Sequence, residues 1–286
     1  MRSLESVGWW CQVHGAIMPP SGYDVCMELL LLALLGAGAS AITIVSGFGL
    51  NTVLVPAFAV LFPLPLAIAA VALVHLSASA IRLVIFRAHI NQAIALQFVP
   101  WAILGGIAGA LILELLGAVP VIATYPLFGV TKSITAVKVV VGVTISALSI
   151  YELRREAQPA GLSTVGVSVG ALASGFFGGL SGNQGAIRST VLIRAGLTPL
   201  GFAATGAAAA VAIDLTRLVV YGTAGSISSI VADGAIRSAI AAATIGAIVG
   251  ALVGRQLLAT MSSERLRLVV GWSLVAGGLL IGTGAL

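Results

Sequence analysis

Two apolar stretches of this chain are too long for a single membrane crossing, and both are interrupted by glycine. They run over about 29–62 and 162–196, each about 34 residues, and carry SGFG at 46–49 and GGLSG at 178–182. A straight helix of that length would measure about 50 Å against a hydrocarbon core of about 30 Å. Each interior glycine costs a helix about 1 kcal/mol, so each cluster predicts a break and a re-entrant helical hairpin. Six further apolar stretches lie at about 64–86, 93–116, 133–151, 200–222, 235–258 and 266–285. Most have the roughly 20 residues that cross a bilayer.

Composition points the same way. Charged residues are 8% of the chain and apolar residues 59%, where a soluble domain carries about 25% charged. That excludes a soluble globular protein, a disordered chain and a coiled coil. The apolar runs are continuous rather than alternating, which favours helices over a β-barrel. The expected fold class is therefore all-α: a polytopic helical membrane protein with about eight apolar segments, multi-pass in the cell membrane. The net charge of +5 comes largely from arginines in short loops, where they set orientation; no nucleic-acid partner is expected. Cys11 and Cys26 make no metal-ligand pattern, and no metal or cofactor is expected. Residues 1–28 carry no basic, apolar and cleavage-site succession of a signal peptide. They read as an N-terminal extension without an assigned role, with Met27 a candidate start.

The two broken stretches correspond to one another. Ser46-Gly47 and Ser181-Gly182 stand 135 positions apart, and at the same offset Arg82-Leu83-Val84 meets Arg217-Leu218-Val219. With a six-residue slip, AILGGIAGALI at 102–112 matches ATIGAIVGALV at 243–253, and KVVVG at 138–142 is followed by RLVVG at 267–271. Four matches in one order predict two homologous halves, 29–151 and 162–286, joined by a charged linker at 152–161. If each broken stretch is a hairpin, the halves are inverted. Arg87, Arg154, Arg155, Arg194, Arg255, Arg265 and Arg267 then share one face, opposite Arg2, Lys132, Lys138 and Arg237. The richer face is the cytoplasmic one. Inverted repeats with broken helices are a recurrent secondary-transporter design.

The breaks hold the candidate chemistry. Ser46, Gly47, Gly49, Asn51 and Thr52 surround the first; Ser181, Gly182, Asn183, Gln184, Gly185 and Arg188 surround the second. A half-helix starting at a break aims free N–H groups and a positive dipole end at it. Two such starts with amide and hydroxyl donors would make an anion site. Arg188 offers a planar fork for an oxyanion, or else caps carbonyls or snorkels to the interface. Arg82 and Arg217 occupy equivalent positions. Snorkelling is the plainer role for Arg82, and Arg217 has Asp214 one turn before it as a neutralising partner. Asp214 and His75 are candidates for proton coupling, since imidazole titrates near neutral pH, with Arg82 and Arg217 as further coupling or gating candidates; a satisfied interhelical hydrogen bond is the plainer role for His75. Gly179-Leu-Ser-Gly182 has the form found in intramembrane serine proteases, but no histidine follows Ser181, and no enzyme is expected.

The segment SGNQGAIRSTVLIRAGL at 181–197, followed by ATGAAAAVAIDLTRL at 204–218, with the broken helices and the repeat, resembles the sulfite exporter TauE/SafE family. The resemblance covers about 29–286. It implies a membrane permease moving sulfite, sulfonates or related sulfur-containing anions, usually outward. Ser181, Gly182, Asn183, Gln184, Gly185 and Arg188 match the family's second glycine-rich motif, and Gly47, Gly49 and Asn51 fall on the first. There the chain departs from the family, with Gly-Phe-Gly-Leu-Asn in place of adjacent glycines. The expected partners are a small anionic solute and the lipid bilayer, with a homo-oligomer left open. An uncoupled anion channel and a serine hydrolase are the alternatives.

Overall fold

The computed structural model describes residues 22–46, 49–127, 129–154, 161–257 and 263–286. The long apolar stretches form helices. The first broken stretch is α1 (Gly22–Ser46) and α2 (Leu50–Leu61), followed by α3 (Leu64–Phe86) and α4 (Gln92–Gly117). A two-stranded hairpin, β1 (Val121–Leu127) and β2 (Val130–Thr135), leads to α5 (Ala136–Arg154). The second broken stretch is α6 (Thr164–Ser181) and α7 (Gly185–Arg194). Then follow α8 (Pro199–Thr223), a short α9 (Ser226–Ala232), α10 (Gly234–Leu257) and α11 (Ser263–Gly282). Among the described residues seven helices are long and apolar enough to cross a membrane, while α2 and the apolar part of α11 are shorter.

Small residues set the pairing of the helices. A Cβ added at Gly105 or Gly109 of α4 would collide with the backbone oxygens of Leu172 and Phe176 on α6. One added at Gly246 or Gly250 of α10 would collide with those of Ala33 and Ala37 on α1. In both pairs the register rises together, so α4 runs parallel to α6 and α10 parallel to α1. Such close approach is how helices gain van der Waals contact in lipid, where their partners' tails are equally apolar. Large apolar side chains such as Leu104, Leu111, Val219, Ile245 and Leu252 stay exposed, and form the lipid-facing surface.

Two further pairs, α3 with α8 and α5 with α11, are antiparallel. His75 in α3 meets Asp214 in α8, while Asn91, just beyond α3, bonds Thr205 near the start of α8. Ser146 in α5 donates to Val275 O in α11, and Leu153 lies against Gly271. The helix α7 folds back along α6: Ser174 Oγ donates to Gln184 O at 3.0 Å, and Gly170 faces Val191.

These directions place the two broken segments on opposite sides. The starts of α4, α6 and α8 share one side, tied by Gln97 Nε2 to Thr164 O and by Asn91 N to Thr205 Oγ1. The helical hairpin α6–α7 therefore enters and leaves there. The other side carries the β-hairpin, the end of α4 at Gly117 against Pro65, and Glu114 bonded to Ser226. Both α10 and its parallel partner α1 start on that side, and so does α3, so α1–α2 enters and leaves from it.

Three differences from the sequence expectation have local causes. The β-hairpin interrupts an otherwise helical chain. Its strands are rich in Val, Ile, Thr and Tyr and turn at Gly129, whose φ is +80°; β-branched residues and a left-handed glycine are the ordinary signals for such a hairpin. The last apolar segment of the first half accordingly begins at Ala136, not 133. The expected linker at 152–161 starts later too: α5 continues to Arg154, and Glu152 is buried on it. Residues 155–160 lie outside the described residues, as do 1–21 of the expected extension, while α1 takes in 22–28.

Candidate functional site

The two helical hairpins meet at their glycine breaks. Asn51 Nδ2 donates to Gly182 O at 2.7 Å, joining the start of α2 to the end of α6. Both breaks use glycine in the left-handed half of backbone space, Gly49 at φ +133° and Gly182 at +77°, where other L residues are strained. Thr43 closes the first break: its Oγ1 accepts from Leu50 N–H at 2.9 Å and donates to Ala39 O at 2.7 Å. The starts of α2 and α7 thus lie at one place inside the bundle.

Two small adjoining cavities lie there. One, about 10 Å³, is bordered by Gly49, Asn51, Thr52, His75, Asn183 and Gln184, with Gly182 and Gly185 beside them. The other, about 30 Å³, is bordered by Arg82 and by the small face Gly206, Ala207 and Ala210 of α8. Thr43 and Arg188 border both. The combined space is on the scale of a few water molecules. Arg82 is 6% exposed and Arg188 5%, so Arg82 does not snorkel to the interface. It turns inward because Ser79 accepts from its Nη2 at 2.9 Å and because the alanine face of α8 leaves it room. Arg188 Nη1 donates to Gln184 Oε1 at 3.2 Å.

Behind the cavities stands a fully buried ionic cluster. Asp214 Oδ1 accepts from Arg217 Nε at 3.0 Å and from Gln184 Nε2 at 3.1 Å, and Arg217 Nη2 lies 2.8 Å from the same oxygen. His75 Nδ1 lies 2.5 Å from Asp214 Oδ2. A carboxylate is acceptor-only, so the imidazole carries its proton on Nδ1 and donates. Arg217 also donates to Gly178 O at 3.4 Å, and Tyr221 OH donates to Gly179 O. The second glycine break is thereby tied to α8 by two side chains. Isolated charges at this depth are costly, which is why the cluster is paired and hydrogen-bonded.

Three of the buried side-chain atoms without a hydrogen-bond partner among the described residues are Asn51 Oδ1, Thr52 Oγ1 and Arg82 Nη1. Their residues all border the cavities. Buried polar groups are nearly always satisfied, so these atoms mark where a polar occupant belongs.

The residues singled out from sequence separate clearly. Gly49, Asn51, Thr52, Gly182, Asn183, Gln184, Gly185 and Arg188 come together around the cavities, with His75 and Arg82 beside them. Ser181 borders neither cavity, and its hydroxyl back-bonds to Phe177 O at 3.0 Å. Asp214 and Arg217 form the wall behind. Ser46 is the last residue of α1, and Gly47 lies outside the described residues. Sequence reasoning missed Thr43 and the tie made by Tyr221. The threonine three residues before Ser46, at the edge of a predicted break, was the available signal for the first.

A helical bundle with two broken segments meeting at a polar, arginine-lined cavity defines a polytopic membrane protein. The family model for the sulfite exporter TauE/SafE matches residues 32–281. The chain belongs to that family, and is a multi-pass protein of the cell membrane in a family of membrane transporters of sulfur-containing anions. Searches of curated proteins and of solved structures return no match.

Proposed function

We propose that this chain exports a small sulfur-containing anion, sulfite or an organosulfonate, binding it between α2 and α7 with Arg82 and Arg188 as charge partners. The observation that carries this reading is the pair of buried arginines on one cavity, set where the positive ends of two half-helices open. Asn51, Thr52, Asn183 and Gln184 supply hydrogen bonds, and Gly185 at the start of α7 borders the same cavity. An oxyanion held this way is met by donors and positive charge from both hairpins.

Alternating access follows from the hairpins entering from opposite sides. Gly49 and Gly182 are the hinges, and the Asn51–Gly182 bond is the contact that parts when one hairpin moves. His75 borders the cavity and reaches Asp214, so a proton taken up there changes the charge seen by the anion. This is the coupling element of the proposal. The halves 29–151 and 162–286 form inverted repeats. The antiparallel packing of counterparts α3 with α8 and α5 with α11 supports this, as do the matching glycine contacts of α4 with α6 and of α10 with α1. Arg87, Arg154 and Arg194 gather on the side from which α6–α7 enters, and this supports a cytoplasmic assignment for that side.

The test is flux in proteoliposomes for sulfite, sulfate, thiosulfate and a small sulfonate, with and without an imposed pH gradient. Saturable flux of sulfite or the sulfonate that is driven uphill by the gradient is expected, lowered at least about tenfold in Arg188→Gln; each lost charged hydrogen bond is worth about 1.5–3 kcal/mol. His75→Gln keeps a donor toward Asp214 and is expected to retain downhill flux while losing the response to pH. Gradient-insensitive flux in the wild type would identify a channel instead.

A further inference from the structure

A third cavity, far larger than the two at the breaks, lies on the β-hairpin side. It measures about 520 Å³ and is enclosed by the ends of α2 and α4, the starts of α3 and α5, strand β2 and the C-terminus. Two cations border it, Lys132 on β2 and Lys138 on α5, against the one terminal carboxylate of Leu286. Lys138 Nζ is steadied by Ser133 O at 3.2 Å. The Lys132 side chain makes no hydrogen bond or ion pair among the described residues, although the residue is only partly exposed. Thr131, Ser133 and Thr135 add hydroxyls to the same wall.

Position gives the cavity its meaning. Ala59, Val60 and Phe62 at the far end of α2 form one side of it, and α2 begins at Asn51 in the central site. The rise of an α-helix puts the two about 13–16 Å apart along that helix. A solute leaving the centre along α2 on this side would reach this space. A recess with low-dielectric walls and a net positive charge concentrates anions.

We propose that this cavity is a second anion site, a vestibule in which Lys132 and Lys138 hold a small oxyanion between the central site and solution. The name vestibule rests on the transport reading, but anion binding here stands on the cavity and its charge, so it is tested without measuring transport. Thr131 is exposed at the cavity wall. In a chain with Cys11→Ser and Cys26→Ser, Thr131→Cys is labelled with an anionic and with a cationic methanethiosulfonate of similar size. The anionic reagent is expected to react faster by on the order of tenfold, with sulfate slowing it. Lys132→Gln with Lys138→Gln is expected to bring the two rates together and to remove sulfate protection, and Lys→Arg at both positions to restore them. The comparison is run in phosphatidylcholine vesicles and in vesicles containing an anionic lipid. Protection by sulfate in both assigns the site to a soluble oxyanion, whereas protection only by anionic lipid assigns it to a lipid phosphate and overturns the vestibule. Equal rates in the parent chain, no labelling by either reagent, or a preference unchanged by Lys→Gln would also overturn it.

Discussion

Asp214→Asn is expected to lower the stability of the purified protein by about 3–5 kcal/mol, the usual cost of removing one partner of a buried ion pair. For a chain of this size that is a fall in melting temperature on the order of 10 °C. The carboxylate is fully buried and takes contacts from His75, Gln184 and Arg217, drawn from α3, α7 and α8. Asparagine keeps the shape but turns one acceptor into a donor facing other donors, and leaves the Arg217 guanidinium buried without its counter-charge. Replacing both members, Asp214→Asn with Arg217→Gln, removes that uncompensated charge and is expected to recover part of the loss. Thermal unfolding in detergent with size-exclusion analysis decides it. An Asp214→Asn protein melting with the wild type would mean that the cluster does not hold these helices together.

The second large effect concerns backbone contact between helices. Gly109→Leu is expected to separate α4 from α6 and yield aggregated protein. Even a Cβ at Gly109 would overlap the Phe176 carbonyl oxygen, and a backbone group cannot turn aside as a side chain can. Overpacking typically costs about 1–3 kcal/mol, and here the helices must move apart along their whole contact. Gly38→Ala is the control: a Cβ there meets nothing within 4 Å, and the substitution is expected to leave stability unchanged or raise it by up to about 1 kcal/mol. Equal behaviour of the two variants in size-exclusion and thermal unfolding would remove the close-packing account.

Much of this architecture is legible in the sequence because lipid imposes so few solutions. Apolar length gave the long helices nearly to the residue, as at Leu64–Phe86 and Gln92–Gly117. The glycine clusters located both breaks because backbone that leaves the helix at membrane depth needs positive φ, as Gly49 and Gly182 have. The motif at 181–188 pointed to the residues of the second hairpin that border the cavities. The fate of each arginine was not legible. Arg82 stands near a helix end, where snorkelling is available in general. Only the facing alanines of α8 and the hydroxyl of Ser79 turn it inward, and those are tertiary facts. His75 and Asp214 are 139 positions apart, and no local pattern pairs them. The β-hairpin did carry a local signal, its β-branched strands around a glycine turn, but it was hidden in a chain otherwise dominated by helical apolar runs.

The central claim is that a small sulfur oxyanion binds where the two broken helices meet, between Arg82 and Arg188. Selenite reproduces the charge and pyramidal shape of sulfite and can be located by its anomalous scattering. Crystals of the purified protein soaked in selenite and measured at the selenium edge should show a peak within about 4 Å of both guanidinium groups, near the Asn51 amide, and weakened by excess sulfite. A selenium peak elsewhere in the bundle, or none at this junction at saturating selenite, would contradict the account.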